Sequence, residues 1–462
     1  MQTDTRIVIV GAGPAGLAAA RTLVEAGLRP IVLEESPLAG GQGTRRLSPM
    51  TAPHRPALFG ASAEAIARRE DAEDAVLQQC DFRTGTLAWA CHDNRLELLG
   101  PDGFDSLTYT HLVIAVGATD RLMPMPGWTL PGVFTLGGAQ VALKRHASFI
   151  GQKVVFAGSS PLLYLAAAQY LRLGHRDLTV LDTTPASGKA RAFPAMLRHE
   201  PRTALQGLSL IAELRRGGVT LRSGVRLDRI EGDSRVQRLR YTTARGRDMT
   251  AEADAVALGH GLRAETQLAE LAGATFAFDP DFRQWFPRTD DMGRAGERLW
   301  LAGDSARIGG ADAADAAGRL AAQSLLESLG RAADARQVQR NTRRLRKQHG
   351  FQRAMTDAFR WPAKQAASLA DDVLICRCER VTAGEIRAAL DTPSGPIEVN
   401  RVKSITRCGM GRCQGRFCGP ALGEIVASAN GEPPGRLRTQ APVRPIPLVF
   451  DAGPIAPEGE DT

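Results

Sequence analysis

Short apolar runs separated by glycine-rich turns organise the chain, and the first of them lies near its start. Residues 6–10 are RIVIV, the glycines of GAGPAG follow, and the next stretch, LAAARTLVEAG, is rich in alanine and leucine. A second apolar run, RPIVLEE, ends in acidic residues. A β-branched run predicts a buried strand and an alanine-rich stretch predicts a helix. This order therefore predicts the strand–turn–helix–strand unit that opens a Rossmann-type sheet.

The same order of elements recurs in residues 152–182. There QKVVFAGSS predicts a strand and a turn, PLLYLAAAQYLRLG predicts a helix, and LTVLD predicts a second strand. Polar strands are expected from this point to about residue 254, followed by a buried strand in ADAVALGHG. RLWLAGDSARIGG and the alanine-rich run after it then predict a strand, an acidic turn and a long helix.

These patterns predict an α/β chain that contains two dinucleotide-binding domains with Rossmann-type sheets and a small helical C-terminal domain. The first domain is expected in two pieces, because the second domain is inserted into it. The predicted boundaries are 1–125 and 255–330 for the first dinucleotide-binding domain, 126–254 for the inserted second one, 331–371 for a basic helical linker, 372–431 for a cysteine-containing domain and 432–462 for a proline-rich tail.

Length and charge fit an enzyme with several domains. The 462 residues exceed what a single compact core normally uses. The formal net charge is +8, but arginines and acidic residues are interspersed except near 331–353. We therefore interpret the excess of positive charge as a source of solubility and of attraction to anionic cofactors or an acidic partner. Nucleic acid is not expected as a partner.

The chain carries no pattern typical of membrane insertion or export. MQTDTRIVIV has no basic region before its four-residue apolar run, and no stretch reaches the roughly 18–20 apolar residues that span a bilayer. We predict no integral membrane segment and a cytoplasmic location, with peripheral attachment at the inner face of the membrane as the alternative. In a reducing compartment, clustered cysteines indicate metal or redox ligands before disulfides.

The first glycine-rich turn has the spacing of a dinucleotide-binding loop. Gly11 allows a tight turn, Gly13 lets the backbone approach a pyrophosphate, and Gly16 permits close packing of the helix. The helix N-terminus offers free N–H groups to phosphates. Glu34 ends the next strand and can accept both hydroxyl protons of an adenosine ribose, although the adjacent acid is an alternative. The predicted dinucleotide-binding residues of this unit are Gly11, Gly13, Pro14, Ala15, Gly16, Glu34 and Glu35.

Two distant stretches resemble segments of two-dinucleotide flavoproteins. LVIAVGA (112–118) is similar to the strand and turn that precede the return to the first domain, and it includes Gly117. LWLAGDSA (299–306) is similar to the closing motif of these proteins. The resemblance implies that Asp304, after Gly303, hydrogen-bonds the ribityl chain of FAD and that the helix after Gly310 points its N-terminus at the pyrophosphate. A helix cap is the alternative role of Asp304.

The second glycine-rich turn departs from the dinucleotide-binding pattern. It keeps Gly158, but Ser160 stands where the backbone should approach a ligand, and Leu163 stands where the helix should come close. Asp182 remains available as a ribose acceptor at the end of the second strand. The sequence thus predicts a domain that kept the fold and lost the nicotinamide cofactor.

Five of the seven cysteines lie in the last fifth of the chain, two of them as Cys376-x-Cys378 and two as Cys413-x4-Cys418, with thirty-four residues between the pairs. RVTAGEIRAAL predicts a helix between them. Zinc ribbons usually use CxxC pairs, so this spacing favours a 2Fe–2S centre, with zinc as the alternative. Cys408 either replaces Cys413 or Cys418 as a ligand or is a neighbouring thiol. Arginines expected to stabilise the negative charge of a cluster are Arg377, Arg407, Arg412 and Arg416.

GMGRCQGRFCG resembles the ligand segment of the bacterioferritin-associated-ferredoxin-like module. That resemblance implies a 2Fe–2S cluster whose ligands are Cys376, Cys378, Cys413 and Cys418. Together with VGAGPAGLAAA, GGQ at 40–42, PGWTLPGVFTLGGAQVALK at 126–144, LAGD and ICRCE, this segment makes nearly the whole chain resemble a family of α subunits. The family comprises bacterial heteromeric opine and amino-acid dehydrogenases, including octopine, nopaline and D-hydroxyproline dehydrogenases, and the flavoprotein subunit of hydrogen cyanide synthase.

The resemblance implies FAD in the first site, with Gly41 and Gln42 of the GGQ segment among its contacts. Two departures leave an adenine nucleotide alone as the alternative occupant. Val116 stands where such proteins often have threonine, and GGQGTRR lacks the aromatic residue that often follows the glutamine.

The function implied is that of an oxidoreductase subunit for CH–NH donors. It would transfer electrons through FAD and a 2Fe–2S cluster while an opine, imino acid or amino acid is oxidised, and would pass them to a quinone or another non-oxygen acceptor. A D-amino-acid-oxidase-like flavoprotein β subunit is the expected partner, with a small ferredoxin-like third subunit as a further one. The alternatives are a self-sufficient NAD(P)H-dependent FAD reductase and a non-catalytic scaffold that binds an adenine nucleotide.

No catalytic base is expected on this chain, and its catalytic residues stay unassigned. The basic segment 331–353 and the tail 432–457 are expected to lie partly on another subunit. The tail has an alternative placement, in which it folds back over the iron–sulfur domain of its own chain.

Overall fold

Two parallel sheets carry the dinucleotide-binding part of the protein. The structure, a computed structural model, describes residues 5–42, 46–391, 395 and 397–447. The first stretch contains β1 (Ile7–Val10), α1 (Pro14–Glu25), β2 (Ile31–Leu33), α2 (Arg55–Phe59), α3 (Ala63–Leu77), β3 (Asp81–Arg83), β4 (Leu87–His92), β5 (Arg95–Gly100), β6 (Gly103–Thr108), β7 (His111–Ile114) and β8 (Ala118–Asp120). Strands β4, β5 and β6 form an antiparallel meander of their own.

The second sheet comes from the middle of the chain, and its strands run in the order β12–β11–β10–β16–β9, all parallel. Its elements and the small antiparallel sheet beside it are β9 (Val133–Thr135), α4 (Leu136–His146), β10 (Val154–Gly158), α5 (Leu162–Arg172), β11 (Leu178–Asp182), α6 (Ala186–His199), α7 (Pro201–Arg216), β12 (Thr220–Ser223), β13 (Arg226–Glu231), β14 (Arg238–Thr242), β15 (Asp248–Glu252) and β16 (Ala255–Gly259).

Two expectations for this region are wrong. The boundary at 254/255 assigned β16 to the first domain, but every residue of this strand is buried and it lies between β10 and β9. The polar strands expected after β11 are preceded by two helices, α6 and α7. In α7, Leu210 and Leu214 are buried one helical turn apart while most of the helix is exposed, so the helix is held by one narrow apolar stripe.

The chain then returns to the first sheet. The return contains β17 (Leu262–Ala264), α8 (Gln267–Leu271), β18 (Phe276–Asp279), β19 (Gln284–Pro287), β20 (Leu299–Leu301) and α9 (Ala311–Ser328). β20 completes the parallel order β20–β7–β1–β2–β3. β17 pairs antiparallel with β8, so the outgoing and returning crossings between the two domains lie side by side.

Helices α1 and α9 pack at backbone distance on one face of the first sheet. A Cβ atom at Gly318 would lie 2.0 Å from the carbonyl oxygen of Ala15, and one at Gly303 would lie 2.8 Å from the Cβ of Ala15. Glycine is therefore required at both positions by helix packing. Ala15, which the sequence placed among the dinucleotide contacts, faces α9.

The last part of the described chain contains α10 (Ala335–Ala358), α11 (Ala363–Ala367), β21 (Leu374–Cys376), β22 (Val381–Thr382), α12 (Ala383–Leu390), α13 (Val399–Thr406) and α14 (Gly419–Asn430). The predicted helix between the cysteine pairs is α12, and Thr382 and Glu385 cap it reciprocally. Within the described ranges, no helix is both long enough and apolar enough to cross a membrane.

The basic helix α10 packs on its own chain, against α6 and α9. Arg344 pairs with Asp312 at 2.8 Å and with Asp315 at 3.0 Å, and Lys347 pairs with Glu200 at 3.0 Å. The basic segment was expected to lie partly on another subunit. Acidic residues of its own chain instead neutralise part of its positive charge.

The proline-rich tail also lies on its own chain as far as residue 447. Trp285 donates its indole N–H to the carbonyl of Pro434 at 2.8 Å, and the N–H of Val443 donates to the carbonyl of Trp89 at 2.9 Å. Val443 is buried. The tail also lies over the iron–sulfur domain, where Lys403 Nζ donates to the carbonyl of Arg438 at 2.8 Å, so residues 432–447 adopt the folded-back placement and extend beyond it onto the first domain. Leu448, Val449 and Phe450, on which a contact with another subunit was expected, lie outside the described residues, as does the rest of the tail.

Candidate functional site

The glycine loop between β1 and α1 is shaped by backbone contacts that no side chain could share. Gly11 has φ +101°, and a Cβ atom there would lie 2.5 Å from the carbonyl oxygen of Ala115. A Cβ at Gly16 would lie 1.8 Å from the carbonyl oxygen of Gly11. Gly13 differs, because its Cβ would face the Cα of Gly41 at 3.7 Å across a gap between two loops. Packing of the loop therefore does not itself require glycine at position 13, and close approach of a ligand is the remaining reason for it.

Of the two adjacent acids, Glu34 alone faces this loop. Its Oε2 accepts the N–H of Ala12 at 2.8 Å and its Oε1 accepts the N–H of Ser36 at 2.9 Å. A carboxylate has about four acceptor positions, so each oxygen can also accept a ribose hydroxyl. Glu35 lies outside the site, since its carboxylate is exposed and pairs with Arg444 at 3.4 Å. The structure gives no support to the expectation that Glu35 contacts the dinucleotide, because consecutive residues of an extended segment point to opposite sides.

We expect Glu34→Ala to lower the dinucleotide content of the purified protein at least tenfold, while Glu35→Ala leaves it unchanged. A hydrogen bond to a charged acceptor contributes about 1.5–3 kcal/mol, so losing the ribose contacts of Glu34 accounts for such a drop. The measurement is the amount of nucleotide released on denaturation per mole of protein. Equal losses in the two variants would contradict this assignment.

The GGQ segment lies across the glycine loop. The N–H of Gly40 donates to the carbonyl of Ala12 at 2.8 Å, and a Cβ at Gly41 would lie 3.1 Å from both the Cα of Gly13 and the Cδ of Pro14. Gln42, which is exposed, shares with Glu34 and Gly41 the lining of a small cleft of about 20 Å³. The structure thus brings the predicted ribose acceptor, the glycine loop and the GGQ segment together.

Asp304 closes the same edge of the sheet. Its Oδ1 accepts the N–H groups of Gly309 at 2.8 Å and Gly310 at 3.1 Å, which holds the turn that leads into α9. Burial raises the pKa of Asp304, although the two hydrogen bonds favour the carboxylate. Its Oδ2 has no donor among the described residues, so one oxygen supports the turn and the other is available to a hydroxyl-bearing chain.

A larger cavity, of about 630 Å³, lies away from these residues. It is bounded by the β18–β19 hairpin, α9 and α10, and Gly303 is the one predicted dinucleotide residue in its lining. We expect the dinucleotide near Gly13, Glu34 and Asp304 rather than in this cavity, because recognition of phosphate and ribose depends on donors and acceptors and not on volume.

In the second domain, the carboxylate predicted to accept a ribose, that of Asp182, is hydrogen-bonded within the domain. Asp182 is fully buried, and its carboxylate accepts hydrogen bonds from the Tyr164 hydroxyl, from Lys189 Nζ and from the N–H of Thr184, each at 2.7 Å. Gly158 is required by strand packing, because a Cβ there would lie 1.9 Å from the carbonyl oxygen of Gly259. The acid available for a ribose is therefore committed to the chain's own donors. This supports the interpretation that the second domain kept its fold and lost its ligand.

All five C-terminal cysteines meet at one place. Cys376 and Cys378 come from the β21–β22 hairpin, and the other three come from the loop between α13 and α14. The sulfur atoms of Cys376, Cys408 and Cys418 lie within 4.8 Å of one another. The thiol of Cys413 hydrogen-bonds with those of Cys418 and Cys378. The sequence left open whether Cys408 is a ligand or a neighbouring thiol, and both roles remain predictions, since its sulfur lies next to those of Cys376 and Cys418.

The cysteine side chains hydrogen-bond with one another, and these hydrogen bonds suit metal binding. Hydrogen bonds from the Cys408 and Cys418 thiols hold the pKa of Cys376 far below its usual value. Its sulfur also accepts backbone N–H groups of Gly409 and Glu379. Hydrogen bonds that favour the thiolate suit a ligand of iron or zinc, since the thiolate is the form that binds metal.

The loop that carries Cys413 and Cys418 is docked on the first domain. Arg416 is buried and forms an ion pair with the equally buried Glu265 at 2.5 Å, while its Nη1 donates to the carbonyl of Cys413 at 3.2 Å. Gln267 donates its side-chain N–H to the carbonyl of Gln414 at 2.6 Å. Sequence analysis assigned Glu265 no role, because nothing near it in the chain indicates a partner 151 residues away.

A second contact joins the cysteine hairpin to the crossing between domains. The guanidinium of Arg377, which lies between Cys376 and Cys378, stands 4.7 Å from the ring centre of Phe417 and 5.8 Å from that of Trp128. Trp128 donates its indole N–H to the carbonyl of Leu374 at 2.6 Å. Trp128 belongs to the PGWTLPG segment, to which the sequence pattern assigned a family resemblance but no role.

Known families match both parts of this architecture. Residues 5–321 match the pyridine nucleotide-disulphide oxidoreductase family, and residues 374–428 match the BFD-like [2Fe-2S] binding domain. The fold and the two sites therefore define an oxidoreductase with a flavin-type dinucleotide domain and a 2Fe–2S domain. The cofactors are FAD and a 2Fe–2S cluster, as predicted, and zinc is set aside.

Relatives that align over nearly the whole chain show to which family of oxidoreductase subunits it belongs. One of the subunits of opine oxidase from Rhizobium meliloti is 36% identical over 96% of this chain and 97% of its own length. The HcnB subunit of hydrogen cyanide synthase from Pseudomonas aeruginosa is 32% identical over 96% of this chain and 98% of its own length. The chain belongs to the pyridine nucleotide-disulphide oxidoreductase family and, within it, to the family that includes HcnB and this subunit of opine oxidase. The resemblance and fold class inferred from the sequence are confirmed.

The solved structure of L-proline dehydrogenase from P. horikoshii shares the fold. It superposes with a TM-score of 0.67 over 96% of this chain and 78% of its own, at 18% sequence identity. Thioredoxin reductase from T. acidophilum, with a TM-score of 0.51 and 18% identity, covers 70% of this chain and 98% of its own. The arrangement of the two α/β domains is thus shared with that reductase.

Proposed function

We propose that this chain is the electron-relay subunit of a heteromeric dehydrogenase that oxidises a C–N bond of an opine, imino acid or amino acid. A partner subunit similar to D-amino-acid oxidase carries out that oxidation, and a small ferredoxin-like third subunit is a further partner. The electrons leave through a quinone or another non-oxygen acceptor. The observation that carries this proposal is the direct docking of the cysteine loop on Glu265 and Gln267, in the segment whose backbone hydrogen-bonds to Gly117.

The docking provides a short route between the two cofactor sites. The N–H of Glu265 donates to the carbonyl of Gly117 at 3.0 Å, and the carboxylate of Glu265 pairs with Arg416 at 2.5 Å. Arg416 in turn donates to the carbonyl of Cys413. A short series of contacts through Glu265 and Arg416 therefore connects the predicted flavin contact Gly117 to a predicted cluster ligand.

The two cofactors supply complementary chemistry, because FAD exchanges electrons singly or in pairs and a 2Fe–2S cluster exchanges one at a time. The chain's own residues hold these groups and fix the contact between them. The histidine closest to the domain crossing is poorly suited to act as a base: burial, with the nearby charge of Arg121, lowers the pKa of His260 to about 3. We therefore assign proton abstraction from the substrate to the partner subunit.

The names of the relatives support a multisubunit enzyme and an amine-type donor. The matched proteins are called subunits of opine oxidase and of hydrogen cyanide synthase. A self-sufficient NAD(P)H-dependent reductase is less well supported, since the carboxylate of Asp182 is committed to Tyr164, Lys189 and Thr184. A scaffold that binds only an adenine nucleotide would contain no flavin.

The test is anaerobic reduction of the protein purified together with its partner subunits. We expect a panel of opines, imino acids and amino acids to contain a compound that bleaches the flavin absorbance and produces the electron spin resonance signal of a reduced 2Fe–2S cluster. NADH and NADPH should do neither. Cluster reduction by NADH in the isolated chain, or nucleotide extraction that yields ADP or ATP without flavin, would contradict the proposal.

A further inference from the structure

We propose that Cys408 is a reserve ligand of the 2Fe–2S cluster, able to replace Cys376 or Cys418 at the buried iron atom. This inference rests on the proposed placement of the cluster among these cysteines. Four thiolates complete a 2Fe–2S cluster, two at each iron, and the described structure brings five cysteines together.

The five thiols divide into an outer and an inner group. Cys378 and Cys413 are half-buried and hydrogen-bond with each other, which suits two ligands of one iron. Cys376, Cys408 and Cys418 are buried, and their sulfur atoms lie within 4.8 Å of one another. Three thiols therefore compete for the two positions at the other iron.

Cys408 has the chemistry and the surroundings of a ligand. Its side chain is fully buried, so the protein shields its sulfur from water. The thiols with which it hydrogen-bonds are those of Cys376 and Cys418. In the intact cluster, one of the three inner sulfurs stays outside the iron coordination and donates a hydrogen bond to a bound sulfur. Such a bond tunes a cluster without adding a ligand.

The backbone around Cys408 allows its sulfur to move the short distance that an exchange requires. Arg407, immediately before it, ends α13 with φ +62°, and Gly409, immediately after it, has φ +96°. Cys408 thus sits at a turn between a helix end and a glycine-rich loop, where side chains are repositioned more easily than within a helix. Cys418, by contrast, is the N-cap of α14.

The consequence is an asymmetry among single replacements. Loss of Cys376 leaves Cys408 and Cys418 as two inner thiols, so four ligands remain. Loss of Cys413 leaves one outer thiol, because no spare cysteine lies on that side among the described residues. Loss of Cys408 itself leaves the four expected ligands in place.

The experiment compares Cys376→Ala, Cys408→Ala, the double variant and Cys413→Ala in the full-length chain, with iron, acid-labile sulfide and the electron spin resonance spectrum of the dithionite-reduced protein as readouts. Each variant is also reconstituted anaerobically with iron and sulfide, and FAD content and circular dichroism report folding. We expect Cys376→Ala to keep the cluster with changed g values, Cys408→Ala to keep it, and the other two to lose it.

A folded, FAD-containing Cys376→Ala protein that lacks the cluster after reconstitution would overturn the inference. So would retention of the cluster by the double variant, which would remove Cys408 from the coordination. Absence of iron and sulfide from the wild-type chain would instead refute the proposed function, so the two failures are distinguishable. Alanine is used because serine can itself bind iron through oxygen.

Discussion

Arg416→Gln is expected to detach the iron–sulfur domain from the flavin domain and to slow electron transfer between their cofactors. Burial by itself raises the pKa of Glu265, but Arg416 and neighbouring arginines outweigh that effect and hold it below its usual value. Removing Arg416 leaves a buried carboxylate without its main partner. Breaking such a pair costs on the order of 3–5 kcal/mol. The variant should therefore melt at lower temperature and should release its C-terminal domain more readily on limited proteolysis.

An arginine-to-glutamine substitution in a solvent-exposed ion pair supplies the control. Arg346 pairs with Asp291 at 3.4 Å, with 73% and 84% of the two side chains exposed, so Arg346→Gln should change stability by less than about 1 kcal/mol. The decisive measurement is the rate at which the cluster is reduced after rapid reduction of the flavin. A wild-type rate in Arg416→Gln would contradict a relay through the docked loop, whatever the effect on stability.

Gly13→Val is expected to yield a folded protein without bound dinucleotide. Gly13 is the N-cap of α1 with φ −80° and ψ −176°, a conformation that valine accepts. The effect is steric, because a branched side chain would fill the gap between Gly13 and Gly41, where backbone N–H groups must approach a pyrophosphate. Released FAD per mole of protein, measured by absorbance, should fall below detection.

A glycine outside the predicted site tests whether a glycine-to-valine substitution by itself lowers the FAD content. Gly207 lies in α7, where a Cβ atom would meet nothing within 4 Å, so Gly207→Val should keep the FAD content of the wild type. Circular dichroism should report a folded protein for both variants. Full FAD content in Gly13→Val would show that the dinucleotide lies elsewhere, for example in the cavity of about 630 Å³ beside α9.

The local motifs were predictable because their chemistry depends on residues that are close in sequence. A glycine loop between a strand and a helix, as at Gly11 to Gly16, is formed by one βα turn and recognises phosphate through its own backbone. The paired cysteines around Cys376 and Cys413 likewise give ligand type and spacing directly. These signals determined the fold class, both cofactors and the family.

Features that depend on which face a residue takes, or on how distant segments pack, were decided by the tertiary structure. Glu34 and Glu35 are chemically alike, and only the direction of each side chain separates a ribose acceptor from a partner of Arg444. β16 follows polar strands in sequence, yet its fully buried residues place it inside the second sheet, between β10 and β9. Burial on both faces is a property of the assembled sheet.

The sequence by itself determined that this chain carries a flavin-type dinucleotide site and a 2Fe–2S cysteine module, because each is encoded in a compact motif. Only the tertiary structure decided how the two are connected. The pairing of Glu265 with Arg416 and the gathering of Cys408 with Cys376 and Cys418 join residues far apart in the chain. Burial strengthens the attraction between paired groups and makes an unpaired group costly, and burial arises only when the domains pack together.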